Sequence, residues 1–313
     1  MPGTRRLALY AIVVGTLGTM PGISYSAPDA FYEPEFLWPK QDVTVCFGTQ
    51  EQIPRTEILD PKKAGLAAET LDYFRAFPPE VRTLIRSSIE AEYTRERTGI
   101  RFVGWNDCDP AALSDVVLLG FSAPSESKAQ LGYIPLGRAS IGTSAWDGTH
   151  KLDPSLKAFV FFDWKEAFGN AVSVRDFKHA VLHEFGHVAG LRHNHVSSDY
   201  ETDPFCIHSR AVSRVEKPGP RTMSYGAYDP FSIMSYCLSE WGWKNGSAEL
   251  YLSDEDIEKL PAKKVDPTVL TPVPFRPGVF RWTVTLSVLD RETLRTLYPP
   301  KKTSSWPRRM IHK

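Results

Sequence analysis

Five of the chain's eight histidines fall within the stretch HAVLHEFGHVAGLRHNH, at positions 179, 183, 187, 193 and 195. Imidazole is the commonest side-chain ligand for a transition metal, so the spacing decides which rings can reach one ion. His183 and His187 are four apart, which stacks them one turn above the other on a single helix face. Gly190 follows, and glycine readily enters the left-handed turn that ends a helix and swings the chain back. After that reversal His193 can supply a third ring. Three nitrogens leave one tetrahedral position open for water, the arrangement of a catalytic zinc rather than a structural one. Glu184 sits between the ligand face and the apolar face, placed to lean over the ion rather than bind it. There it suits a base that takes a proton from a metal-acidified water and delivers it to a leaving amine. His179, one turn before His183, reads as a supporting or ordinary helix histidine. His195 has the wrong spacing from Gly190, and His208 has no motif around it.

The elements that must position these residues are legible as patterns. Val174, Phe177, Val181, Phe185 and Val188 recur at helical spacing, with Ser173 and Asp176 suited to a capping box at the start. The histidines fall roughly opposite that stripe. Upstream, PEVRTLIRSSIEAEYTRERTG reads as a helix begun by Pro79, with Val81, Leu84, Ile85 and Ile89 as its buried face and Gly99 as its stop. DVTVCFG, IRFVGW, DVVLLGF, RASIGTSAW and KAFVFFDW read as five strands. Strands interleaved with two helices make a mixed sheet packed on helices. Residues 196–250 are poor in regular pattern and read as a loop-built region. LSDEDIEKL and LSVLDRETLRTLYPP then read as short helices, each with a serine as N-cap and acidic residues in the first turn.

The 313 residues suffice for a sizeable core, and 37 basic residues balance 37 acidic ones, so no global charge points to nucleic acid or a membrane surface as partner. The first residues have the form of a secretion signal: Arg5 and Arg6, an apolar run from Leu7 to Leu17, then the small residues Ser24 and Ser26 before cleavage at Ala27. Residues 301–313 carry five Lys and Arg with no acid and read as a solvated tail. In an oxidising compartment the four cysteines are expected to form two disulfides, in any of three connectivities. Cys46 with Cys108 and Cys206 with Cys237 is the preferred one, because each pair joins segments that other signals bring together.

HEFGHVAGLRH resembles the metzincin zinc peptidases, whose pattern HExxHxxGxxH it matches at every defined position. The downstream YDPFSIMSYC resembles the family's methionine turn, with Met234 as the methionine beneath the metal. Its S-x-M-x-Y form is most similar to the astacin and serralysin branches, and the resemblance implies that Tyr236 stabilises the transition state. A second candidate turn, TMSYGAYD with Met223 and Tyr225, lacks the serine two places before its methionine. The resemblance implies an α+β, metzincin-like zincin fold. Its upper lobe holds a twisted mixed five-stranded sheet and two helices, a loop-rich lower lobe follows Gly190, and the active-site cleft lies between. It also implies that an extended substrate pairs with an edge strand, for which RASIGTSAW is the candidate. Two features depart from astacins: Asn194 stands where they carry glutamate, and the cysteine positions do not match theirs.

These readings give residues 1–26 as signal peptide, 27–300 as one peptidase domain and 301–313 as tail. The expected activity is that of a secreted, monomeric zinc endopeptidase acting on proteins or peptides. It uses His183, His187 and His193 as ligands of one zinc ion, Glu184 and Tyr236 as catalytic residues, and Met234 as a structural floor. No calcium loop is apparent. The alternatives are a catalytically silent secreted binding protein on the same scaffold, and a zinc hydrolase of a non-protein substrate.

Overall fold

Alternating β-branched residues build the first long strand, and the remaining strands gather around it. The structure is a computed structural model that describes residues 30–48, 74–109, 111–112, 114–121, 137–143, 158–164, 174–194, 222–226, 228–235, 251–258 and 266–300. The expected signal segment, the basic tail, Ser173, His195, Cys206, His208, Tyr236 and Cys237 lie outside these residues.

The strands are β1 (Ala30–Tyr32), β2 (Asp42–Phe47), β3 (Phe74–Arg75), β4 (Arg101–Asp107), β5 (Val116–Phe121), β6 (Gly137–Ala139), β7 (Ala158–Asp163), β8 (Leu191–Arg192), β9 (Met223–Tyr225), β10 (Tyr251–Ser253), β11 (Leu270–Pro272) and β12 (Val279–Trp282). The helices are α1 (Pro79–Glu92), α2 (Val174–Val188), α3 (Asp254–Glu258) and α4 (Val288–Leu297). The fold is therefore α+β.

The main sheet runs β4-β2-β5-β7-β6, with β3 paired antiparallel to β5. The first four of these are parallel to one another, and β6 is antiparallel to β7. All five expected strands form, and β3 adds a short sixth. Every residue of β7 is buried, as its unbroken apolar run requires of a strand covered on both faces. Of the described residues of RASIGTSAW, Arg138 and Ala139 are strand, joined by the preceding Gly137, and this short piece ends the strand order.

The β2/β4 register shifts between Val45 and Cys46, leaving Trp105 as an extra residue at φ 65° beside Gly104 at φ 109°. Such a bulge re-aims a side chain. Here Trp105 comes to lie 5.9 Å, ring to ring, from Phe185 of α2 and 6.1 Å from Phe47. Cys46 and Cys108 are disulfide-bonded across a separation of 62 residues. Closing a loop of that length restricts the unfolded chain by an amount worth about 4 kcal/mol in the entropic picture.

Helix α1 buries Val81, Ile85 and Ile89 and starts at Pro79 as expected, but it ends at Glu92 rather than running to Gly99. Tyr93 drops into the core, where its hydroxyl donates to the Leu182 carbonyl at 2.8 Å. Gly99 instead closes the following turn at φ 75°, where a Cβ would strike the Tyr298 carbonyl. In α2 the apolar stripe is fully buried at Phe177, Val181, Phe185 and Val188, each contributing roughly 1.5–3 kcal/mol by its removal from water. Val174, expected in that stripe, is half exposed at the first turn.

The end of α2 is fastened from both ends of the chain. The Trp38 indole donates to the Val188 carbonyl at 2.7 Å, and the Tyr298 hydroxyl donates to the Ala189 carbonyl at 2.9 Å. Carbonyls that a helix terminus leaves orphaned are thus satisfied. Beyond α2, β1 lies between β8 and β9, and β12 lies between β10 and β11. The strand β9 falls inside the region expected to be all loop.

Candidate metal centre

The histidines that spacing singles out converge. Gly190 takes φ 96° and its N–H donates to the His187 carbonyl at 2.7 Å, so the helix ends there and the chain reverses. Residues 191 and 192 then pair with β1, an alignment supported by an ion pair between Arg192 and Glu33 at 2.5 Å. One residue later, His193 Nε2 stands 3.2 Å from His183 Nε2 and 3.0 Å from His187 Nε2. One nitrogen from each ring lies within 4.8 Å of the others, a set able to hold a metal ion.

Hydrogen bonding fixes which nitrogens face inward. His183 Nδ1 lies 2.8 Å from the Ile233 carbonyl, and His187 Nδ1 lies 2.8 Å from the Leu191 carbonyl. A carbonyl only accepts, so each Nδ1 carries the hydrogen and each Nε2 of a neutral ring is a bare lone pair. Burial pushes His187 down to about 4, aided by the nearby Arg192 charge and opposed by the bond to Leu191, so the ring is neutral near pH 7. A single proton on His193 cannot bond both of the other rings in line. A cation satisfies all three, and bonds of 2.0–2.1 Å to a tetrahedral ion place its nitrogens about 3.3 Å apart. The donor set fits a transition metal, and carbonyl-anchored imidazoles are how such ligands are usually oriented.

Glu184 is 6% exposed and lies against the first residue of β6: a Cβ on Gly137 would fall 2.8 Å from Glu184 Cγ. The structure thus brings Glu184, the histidine-bearing helix α2 and the strand β6 at the end of the sheet together. His179 is buried too, stacked 6.0 Å from the His183 ring. Burial lowers it to about 4, with Arg175 adding to the effect and a hydrogen bond to the Ser235 backbone opposing it.

Met234 is buried beneath α2, so close that a Cβ on Gly186 would lie 2.4 Å from its sulfur. Met223 of the second candidate turn is 50% exposed on β9. The turn carrying Met234 is tight: the Ser232 N–H donates to the Asp229 carbonyl and the Ser235 N–H to the Ser232 carbonyl. Asn194, directly after His193, is fully buried and donates to the Asp229 carbonyl at 3.3 Å.

Sequence patterns missed two groups around the centre. Asp290 accepts from Ser232 Oγ at 2.7 Å and from the Ile233 N–H at 2.9 Å, while its own N–H and that of Ser287 complete a capping box at the start of α4. Its signal in the sequence is the S-x-x-D of that cap, which discloses the helix start and not the distant turn it holds. Asp229 is the second. Burial and the neighbouring Asp290 raise its carboxyl to about 7.

No family model matches the sequence, and no curated protein matches it. Among solved structures, two of myroilysin are similar to this chain. One is 17% identical at a TM-score of 0.40, covering 86% of this chain and 98% of that one. The other is 16% identical at a TM-score of 0.40, covering 84% of this chain and 86% of that one.

Proposed function

We propose that this chain is a secreted zinc-dependent endopeptidase. The observation that carries the reading is the convergence of three imidazole Nε2 atoms, two of the rings anchored to carbonyls, with the buried Glu184 next to His183 in the chain and against the end strand β6. His183, His187 and His193 hold the ion in this reading. A bound zinc supplies a Lewis acid that acidifies water and polarises a peptide carbonyl. Glu184 takes the water's proton and passes it to the departing amine, work that suits a carboxylate shielded from bulk solvent. Tyr236 donates to the oxygen that gains charge in the transition state, and Met234 forms the floor under the ligand helix. An extended protein or peptide substrate pairs with the outer side of β6, where backbone bonding leaves selection to side chains.

Secretion rests on the signal-like leader, and the Cys46–Cys108 disulfide supports it, since such bonds persist in oxidising compartments. Among the described residues no helix is long and apolar enough to cross a membrane. The enzyme acts as a monomer in this reading, with no nucleic-acid partner.

The test is cleavage of an unbiased peptide mixture by the protein beside its Glu184→Gln variant. Cleavage by the first and none by the second supports the reading. Equal cleavage by both removes Glu184 from its role. No cleavage by either, with zinc bound, favours a binding protein on this scaffold or a hydrolase of another substrate.

A further inference from the structure

Residues 229–235 are tied to the start of α4 by two hydrogen bonds to one carboxylate, that of Asp290. The Ile233 carbonyl, which accepts from His183 Nδ1, shares a peptide plane with the Met234 N–H. That N–H donates to Ser232 Oγ at 3.1 Å, and the same hydroxyl donates to Asp290 Oδ1 at 2.7 Å. The preceding peptide is gripped as well, because the Ile233 N–H donates to Asp290 Oδ2 at 2.9 Å. Both planes flanking Ile233 are therefore set by one carboxylate, 57 residues away in the chain.

We propose that Asp290 is a positioning residue for the metal centre, acting through Ser232 and the Ile233–Met234 peptide to hold His183 at the angle and tautomer that ligation requires. The inference rests on the metal-binding reading of His183, His187 and His193.

Three features make Asp290 suited to this. It is 2% exposed, so water does not compete for its oxygens. It is held in a capping box, because the Ser287 N–H donates to Oδ2 at 3.0 Å while its own N–H donates to Ser287 Oγ at 2.9 Å. And the bonds run in series, donor to acceptor, from His183 through the peptide and the serine to the carboxylate, an arrangement in which each bond polarises the next. Without the carboxylate, Ser232 Oγ and the Ile233 N–H lose their acceptor and the turn relaxes. The Ile233 carbonyl then leaves the His183 Nδ1 hydrogen, and the ring is free to rotate or to move its hydrogen to Nε2.

The experiment measures zinc affinity by competition with a chromophoric chelator, together with the melting temperature of the zinc-free protein. The variants are Asp290→Ala, Asp290→Asn, Ser232→Ala and Val81→Ala. Asp290→Ala is expected to bind zinc about ten- to a hundredfold more weakly, the usual effect of removing a group that orients a ligand. Asp290→Asn restores most of the affinity, because an amide oxygen accepts from the Ile233 N–H and the amide NH2 donates to Ser232 Oγ. Val81→Ala, in the buried face of α1, is expected to lower the melting temperature with zinc affinity unchanged.

Unchanged affinity in Asp290→Ala overturns the inference. So does a loss in Val81→Ala that matches its lost stability, which would make the effect one of general loosening. If Asp290→Ala does not fold, Ser232→Ala decides: it keeps the cap and breaks the serine link, and a zinc affinity equal to that of the unmodified protein overturns the inference. Failure of the unmodified protein to bind zinc overturns the metal reading itself, a result distinct from all of these.

Discussion

Gly137 and Glu184 share a boundary that only glycine leaves open: a Cβ on Gly137 would fall 2.8 Å from Glu184 Cγ and 2.9 Å from Phe162 Cδ1. Phe162 is fully buried in β7 and has nowhere to retreat, so the glutamate must give way. Gly137→Ala is therefore expected to move the carboxylate while leaving the three imidazoles in place. A displacement of about 1 Å costs on the order of a hundredfold in rate. Steady-state hydrolysis beside zinc affinity checks this: kcat should fall with zinc binding unchanged. An unaltered kcat would place Glu184 elsewhere.

Gly186 sits in the last turn of α2, and within a helix replacing glycine by alanine ordinarily stabilises by up to about 1 kcal/mol. Here the added methyl would lie 2.4 Å from the Met234 sulfur and 3.7 Å from the Tyr93 hydroxyl. Overpacking of a tight core costs roughly 1–3 kcal/mol, which outweighs the propensity gain. Gly186→Ala is thus expected to lower the midpoint of urea unfolding of the zinc-free protein. A raised midpoint would show that Met234 does not press against the helix.

Tyr236 follows the Met234 turn by two residues, and its proposed hydroxyl donor acts only as charge develops. Tyr236→Phe is expected to lower kcat by about 10²–10³ with KM little changed, the effect of losing one such donor. Rate constants for a single peptide substrate measure it, and an unchanged kcat would leave the tyrosine a structural role.

Asp229 gives stability a pH dependence of defined sign. Burial and Asp290 raise its carboxyl to about 7 in the folded chain, with Asp266 adding to the effect, whereas an unfolded aspartate titrates near ~4. Between these values the native state binds the extra proton, so this contribution is complete below about pH 4 and is lost as pH rises through about 7. Buried His179 acts in the opposite direction, because its folded value of about 4 lies below that of a free imidazole. Comparing variants isolates the aspartate. Asp229→Asn is expected to gain stability relative to the unmodified protein between about pH 5 and pH 8 in urea unfolding. A difference that does not change with pH would mean that Asp229 is ionised throughout.

What the sequence discloses here is local. Four-residue spacing puts His183 and His187 on one face, and Gly190 announces the reversal, because each depends on neighbours in the chain. The five sheet strands are legible for the same reason. The carbonyl partners of His183 and His187, by contrast, come from Ile233 and from Leu191, and nothing in the pattern marks the first. The end of α1 is equally hidden, since Tyr93 leaves the helix to donate its hydroxyl hydrogen to the Leu182 carbonyl, 89 residues on. Asp290 shows the limit most sharply. Its capping role is written in four consecutive residues, and its hold on Ser232 and Ile233 exists only in the folded chain.

The most direct test strips the protein with a chelator, then adds zinc stepwise while hydrolysis of a quenched peptide substrate is followed. The account predicts no hydrolysis without metal and a linear return of activity that levels off at one zinc per chain, absent from His193→Ala. Activity that survives the chelator, or zinc bound at one per chain with no hydrolysis of any peptide, would contradict it.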